Sequence, residues 1–453
     1  MKQIDFENTS IGKSLFATAL PMFVAQTLNL LYSIVDRIYI GRIPGTGSAA
    51  LGGVGLTFPF IIMITAFTNL YGSGGSPLCS IARGQKNTAR AAEIMNIAFF
   101  LLSVTSVILT AAGELLAIPL LYAFGATEEN IIYALPYLRI YLTGTFFSMT
   151  ATGLNPYINA QGFSETGMLT VVIGALSNII LDPLFIFVFG MGVKGAALAT
   201  VISQALSALF VIRFLKSDRA ELRLYLLPLR EFKKHVSTVR DIISLGIASF
   251  VMQFTNALVQ ISCNSMLSRF GGSLYISVMT IISSVRQILE TPILAISEGC
   301  SPIISYNYGA KRPRRIISAI RIMTVCALIY TMVVWGAISL FPSFFIGIFS
   351  GDRSLLAAAV PSLHLYFFAF PFQTLQYSGQ TVFKSLNKKR HAIFFSLLRK
   401  AVMVVPLTLI LPHIGGLGVN GVFMAEPVSN VIGGVACFTT MLITILPELK
   451  AMM

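Results

Sequence analysis

The stretch ALSNIILDPLFIF, residues 175–187, sets an asparagine, an aspartate and a proline in a run that is otherwise almost wholly apolar. Asn178 and Asp182 are spaced i, i+4, so on a helix they share one face. Pro183 has no N–H to offer the carbonyl of Ile179, which frees a backbone oxygen close to Asp182. A second acid, Asp36, closes the apolar run LPMFVAQTLNLLYSIVD. An ionised carboxylate among apolar segments is costly unless it faces a polar interior or water. Oxygens grouped in this way suit two small cations. One is a proton, carried on a desolvated carboxylate. The other is sodium, a hard ion that takes several oxygen ligands. For Asp36 the alternative is an interfacial role, paired with Arg37 or a lipid headgroup.

The elements that must hold these groups are long and greasy. Of 453 residues 55% are hydrophobic and only 11% are charged, too little charge to cover a water-soluble surface of this size. Apolar runs of about 20 residues or more, the length that crosses a bilayer core, recur from end to end. Twelve are expected, with cores near 14–38, 52–80, 93–121, 134–158, 166–188, 195–215, 243–267, 276–304, 318–347, 358–383, 392–412 and 419–445. The fold class is therefore all-α, a polytopic membrane protein. The alternating segments of a membrane β-barrel are not seen. Acids precede the first run and no small-residue cleavage site follows it, so that run is expected to be a span rather than a cleaved leader.

A formal charge of +14 invites a nucleic-acid reading, which the placement of the charges excludes. Lys and Arg crowd alternate loops: RGQKNTAR at 83–90, the segment from Arg213 to Arg240, KRPRR at 311–315 and KSLNKKR at 384–390. The loops between carry single charges such as Arg42, Lys194, Arg269 and Arg353. That bias puts the basic loops and both termini in the cytoplasm. The cysteines at 79, 263, 300, 326 and 437 lie in or beside apolar runs without metal-ligand spacing and read as packing residues. His235, His364, His391 and His413 are scattered and support no metal site.

The chain also repeats itself. SPLCSIARGQK at 76–86 matches SPIISYNYGAK at 301–311, and GVKGAALATVISQ at 192–204 matches GVNGVFMAEPVSN at 418–430. The offsets are 225 residues from Pro77 to Pro302 and 226 from Gly192 to Gly418. Six runs thus recur as six in the same orientation, a parallel repeat, giving two pseudo-symmetric six-helix lobes. The expected layout is a first lobe at 1–215, a cytoplasmic linker at 216–240 and a second lobe at 241–453. Transport along a path between lobes is the usual use of such a duplication; a merely larger bundle is the plain alternative.

Four motifs carry a resemblance over essentially the whole chain: ALPM opening the first run, IVDRIYIG closing it, NIILDP in the fifth, and PIISYNYGAK ending the eighth. They resemble the multidrug and toxic compound extrusion (MATE) transporters, most of all the DinF-like and MepA-like branch. The acids that a NorM-like relative carries in its seventh and tenth spans are missing from TNALVQISCN and PFQTLQYSGQ. The resemblance implies a cation-responsive site in the first lobe. It maps the first-span acid to Asp36, the fifth-span pair to Asn178 and Asp182, a sixth-span threonine to Thr200, a fourth-span asparagine to Asn155, and the proline at which the first helix bends to Pro21. A sodium ion in that site would be held by Asp36, Asn178, Asp182 and Thr200.

Other polar residues are expected nearer the second lobe. Arg286 and Glu290, i, i+4 neighbours, either pair with each other or line a substrate cavity. Glu298 lies near the cytoplasmic end of the same run. Glu426, which replaces Thr200 in the repeat, marks a further cavity position. Arg399 and Lys400 are expected to snorkel to the cytoplasmic interface. The expectation for function is a secondary antiporter, not an enzyme, expelling amphipathic organic cations from a bacterial or archaeal cell in exchange for H⁺ or Na⁺. It needs no cofactor, and it works as a monomer in the cytoplasmic membrane. No G-x-x-x-x-G-K-[ST] loop offers ATP coupling. Flipping of a lipid-linked precursor is the alternative within transport, and an intramembrane enzyme the alternative outside it.

Overall fold

The computed structural model describes residues 3–225, 232–349 and 353–453; part of the linker, 226–231, lies outside the described residues. Every regular element described is helical. In chain order the longer ones are α1 (Ile11–Gly41), α2 (Ala49–Gly84), α3 (Thr88–Ala123), α4 (Glu128–Thr143), α5 (Thr145–Ala160), α6 (Ser164–Val188) and α7 (Val193–Lys216). After the linker come α8 (Val236–Gly272), α9 (Leu274–Gly309), α10 (Pro313–Leu340), α11 (Arg353–Phe367), α12 (Phe370–Ser385), α13 (Lys389–His413) and α14 (Val419–Ala451).

Ten of these are individually long and apolar enough to cross a membrane, and α11 with α12, bent by 44°, makes an eleventh. The expected fourth run, 134–158, is α4 followed by α5 with Gly144 at the break. Each holds 16 residues, about 24 Å of helix at 1.5 Å per residue, so only the two together span a bilayer core of about 30 Å. Gly272 parts α8 from α9 with a φ of 67°, which a Cβ would make costly.

The chain divides into two compact units, one of Met1–Asp5 and Val24–Gly246, the other of Phe6–Phe23 and Ile247–Met453. The expected first lobe thus loses Phe6–Phe23 to the second unit. Side-chain chemistry explains the exchange. Thr18 Oγ1 donates to the Gly299 carbonyl at 2.9 Å, and the guanidinium of Arg315 donates to the carbonyls of Phe6 at 3.0 Å and Thr9 at 2.6 Å. Arg312 holds both the carbonyl and the carboxylate of Glu7. The first helix therefore starts in one unit and ends in the other, the change falling just past Pro21. The helix runs through Pro21 without a break.

The described part of the linker is packed onto the first unit. Leu222 and Leu224 are buried, and Gln161 and Asn96 accept from the N–H groups of Leu222 and Tyr225 at 2.9 and 2.7 Å.

The repeat read from the sequence is also written in the backbone. Lys86 and Lys311 both take left-handed φ, 59° and 54°; Gly162 and Asn387 do so at 86° and 58°. Gly192 and Gly418 open α7 and α14 with φ/ψ of 57°/−133° and 48°/−125°. Such conformations are disfavoured for most L-residues, so their recurrence at one offset is a shared fold rather than a chance likeness. The π-helical stretches, Leu184–Val188 at the end of α6 and Leu398–Val404 within α13, do not follow this offset.

Candidate functional site

In the first unit, α6, α7 and the second half of α1 bring three expected residues together. Asn178 Nδ2 donates to Asp182 Oδ1 at 3.2 Å and to Thr200 Oγ1 at 3.3 Å. Thr200 passes its own hydroxyl proton to the Ala196 carbonyl at 3.0 Å. Asp182 is fully buried and Asn178 nearly so. Asp36 comes in from α1 and lies within electrostatic reach of Asp182. Arg37, the partner considered for Asp36, lies over the Phe58 ring, its guanidinium carbon 4.8 Å from the centroid.

The local backbone opens this niche. Pro183 offers no N–H, and the N–H of Leu184 goes to Leu181, so neither reaches the Ile179 carbonyl. The π-helical turn that follows is closed by Phe189 N–H to the Leu184 carbonyl at 2.9 Å. Such bulges frequently mark functional positions. The niche is short of donors: Asp36 Oδ1, Asn178 Oδ1 and Asp182 Oδ2 are buried oxygens with no hydrogen-bond partner among the described residues. A pocket of orphaned oxygens fits a small cation and would repel an anion. Thr200 Oγ1, already a donor elsewhere, keeps lone-pair capacity for such an ion. No group of three His, Cys, Asp or Glu side chains able to hold a metal occurs among the described residues.

Asn155 is differently employed. Its Nδ2 donates to the Gly167 carbonyl at 2.7 Å and to Thr170 Oγ1 at 2.5 Å, and its Oδ1 accepts from Asn159 at 2.9 Å. It fastens α5 to α6 rather than meeting the acids.

Sequence reasoning missed the tyrosines. Tyr32 on α1 and Tyr137 on α4 lie within electrostatic reach of both Asp36 and Asp182, and Tyr141 stacks on Tyr137 with ring centroids 6.3 Å apart. The spacing of Tyr137 and Tyr141, i and i+4 in YALPYLRIY, was the available signal.

The second unit holds a cluster of another character. Arg286 Nε pairs with Glu290 Oε1, and Arg286 NH1 reaches Glu426 Oε1 at 3.1 Å and Tyr366 Oη at 2.6 Å. Arg399 NH1 and Lys400 Nζ also converge on Glu426 Oε1, at 3.2 and 3.0 Å. Gln373 donates to Glu290, and Arg399 to Asn430. Arg286 and Glu290 pair as i, i+4 neighbours, and Glu426, expected as a separate cavity position, is joined to Arg286 as well. Arg399 and Lys400 overturn the expectation of snorkelling: each is 5% exposed, held inward by a buried acid rather than led out to an interface. Apart from that acid, nothing in the local sequence marks them as buried.

A model of the MatE family matches residues 21–184 and again 248–410, the same domain twice in one chain. The chain belongs to the MatE family. Members of this family are transporters, not enzymes. The multidrug export protein MepA of Staphylococcus haemolyticus is 24% identical over 412 residues, covering 91% of this chain and 89% of its own. MepA of Staphylococcus aureus is 25% identical over 421 residues, with 91% and 90% covered. A multidrug resistance MATE transporter of the MOP superfamily, solved in an outward-facing conformation, superposes with a TM-score of 0.90 at 22% identity, covering 100% of this chain and 99% of that one. The fold of this MatE chain is therefore that of a multi-pass helical transporter, and its relatives include the MepA-like branch.

Proposed function

We propose that this MatE transporter is a secondary multidrug antiporter that expels amphipathic organic cations by alternating access, driven by a proton or sodium ion entering at Asp36 and Asp182. The observation that carries the reading is the buried Asp182 with the partly buried Asp36 in electrostatic reach, and the unpartnered oxygens of Asp36, Asn178 and Asp182. A cation arriving there satisfies those oxygens and relieves the repulsion between the acids. The pair then changes its hold on the second half of α1. Because α1 begins in the other unit, a shift in its lower or upper half is a route by which ion binding acts on drug binding, with Pro21 as the point where the helix can give. Each charge moving down the membrane potential supplies about 2.3 kcal/mol per 100 mV, enough to sustain a useful drug gradient. The export activity of the MepA relatives supports this assignment. Basic loops facing the cytoplasm, with both termini there, belong to the same reading.

The test is ethidium efflux from proteoliposomes under separately imposed pH and sodium gradients, with Asp36→Asn and Asp182→Asn beside the wild type. Efflux driven by one gradient, and reduced to background in both variants, is expected. Normal pumping by both variants removes the ion site. Failure of either gradient to drive the wild type removes antiport.

A further inference from the structure

A cavity of about 320 Å³ lies in the first unit, just past the end of α1 and between α4 and the loop that joins α6 to α7. Ile43, Thr46, Tyr133, Gly190, Val193 and Lys194 are among its lining residues. On the reading that the basic loops face the cytoplasm, it opens to the outside. Its place is set by the helices that build the acid niche. α1 carries Asp36 and, one turn on, Ile40, before handing over to Ile43 just past its end. α6 carries Asp182 and then Ile186, with Gly190 beyond it. α4 runs the other way, so that Tyr133 lies one turn before Tyr137. So does α7, where Val193 lies seven residues before Thr200. Residues four and seven apart share a helical face. Four elements, two running towards the cavity and two away from it, thus set niche residues and cavity residues in line, about 6–12 Å apart at 1.5 Å per residue.

An apolar layer separates the two spaces. Ile40 and Ala196 are wholly buried and Ile186 nearly so. The rings of Tyr39 and Phe187 meet edge to face with centroids 6.2 Å apart. α7 also presses close to the π-helical turn, since a Cβ on Gly195 would lie 2.7 Å from the Phe185 carbonyl carbon. The layer is therefore built on a stretch of α6 whose hydrogen-bond ladder is already loosened, where the wall gives at least cost. The cavity has room for a small cation with several waters, at about 30 Å³ per water. The charged residue in its lining is Lys194, exposed at the start of α7.

We propose that this cavity is the outer vestibule from which the coupling cation enters the niche of Asp36 and Asp182, and that Lys194 governs how readily it enters. A hydrated ion gathers in the cavity, and parting of the Ile40 and Ile186 layer passes it to the orphaned oxygens beyond. The two acids attract the ion. Lys194 offsets part of that attraction, which keeps the approach from becoming a trap, because passage needs entry without permanent capture. This inference rests on the antiport reading and adds to it the entrance used by the ion.

The test uses full-length protein in proteoliposomes loaded with ethidium and driven by a pH or a sodium gradient imposed from outside. Thr46→Cys in a Cys326→Ser background puts one reactive thiol on the cavity wall, Cys79, Cys263, Cys300 and Cys437 being buried. Labelling with the impermeant reagents MTSET, which adds a cation, or MTSES, which adds an anion, is verified by mass spectrometry. Either label should cut ion-driven efflux to near background and leave ethidium binding, read by fluorescence polarisation, unchanged. Lys194→Glu should speed efflux at subsaturating ion about fourfold, the effect of a two-charge change at about 10 Å in a water-like dielectric, and the gain should fade as salt is raised. Undiminished efflux after labelling, loss of ethidium binding together with efflux, or an unchanged rate in Lys194→Glu overturns the proposal. Met191→Cys, also on the cavity wall, carries the labelling arm if Thr46→Cys does not fold. Unlabelled wild type is scored separately. Its failure to pump under either gradient defeats the antiport reading, whereas driven efflux that labelling does not touch defeats this inference alone.

Discussion

The two units share a backbone and oppose each other in chemistry. In the first, a π-helical turn in α6 sits beside Asn178 and Asp182, and α7 presents Thr200. In the second, a π-helical stretch in α13 itself carries Arg399 and Lys400, and α14 presents Glu426 at the position matching Thr200. Each unit has a broken hydrogen-bond ladder in a long apolar helix, at the end of α6 in the first and near the middle of α13 in the second, so the two breaks are not copies of one another. Side chains then set the sign. The first niche has buried oxygens left without donors, the feature on which the proposed cation site rests. The second has more cations than acids and is knitted together by them. A repeat in sequence and backbone does not make two copies of one ion site.

That contrast can be broken most forcefully at Glu426. Glu426→Leu takes their acid from the buried Arg399 and Lys400, while Arg286 keeps Glu290, and should cost about 3–5 kcal/mol, read as a large fall in melting temperature in detergent. Lys400→Met added to it should recover part of the loss. Asp182→Asn should behave oppositely to Glu426→Leu. It removes one of two neighbouring acids, so stability should hold or rise by about 1 kcal/mol. If the two variants destabilise equally, the acids of the two units play one role and the contrast is false. A smaller effect sharpens the ligand set. Thr200→Val removes a hydroxyl without changing shape and should cost about 1 kcal/mol of cation binding, roughly a fivefold rise in the ion concentration for half-maximal efflux. An unmoved half-saturation point would take Thr200 out of the site. Smallest is Asn155→Ala. It should lower stability by about 1 kcal/mol, because it unfastens α5 from α6, and leave the ion dependence where it was. A shift in half-saturation as large as that of Thr200→Val would return Asn155 to the site.

How much of the site was legible depends on how far apart its partners lie in the chain. Asn178 and Asp182 are four residues apart, so helical periodicity alone puts them on one face, and the structure joins them by a hydrogen bond. Arg286 and Glu290 pair for the same reason. The link from Asp36 to Asp182 was proposed from the family resemblance, because no local pattern connects positions so distant. Arg399 and Lys400 were misread because a basic pair close to a cytoplasmic loop ordinarily reaches for water. Their partner lies on another helix, and its burial decides theirs. Asn155 was carried into the site by resemblance, and its neighbours Gly167 and Thr170 claim it instead.

By itself the sequence determined the class of molecule. Run lengths, the scarcity of charge, the alternation of basic loops and the offset of about 225 residues are one-dimensional properties, and the bilayer translates them almost directly into helices and a duplicated plan. Only the tertiary structure decided which unit the start of α1 belongs to, and which charges are shared. Both depend on groups more than a hundred residues apart, such as Arg315 with Thr9 or Arg286 with Glu426. The physical reason is that a buried charge takes its character from whatever the fold sets within hydrogen-bonding distance, and periodicity carries no record of that.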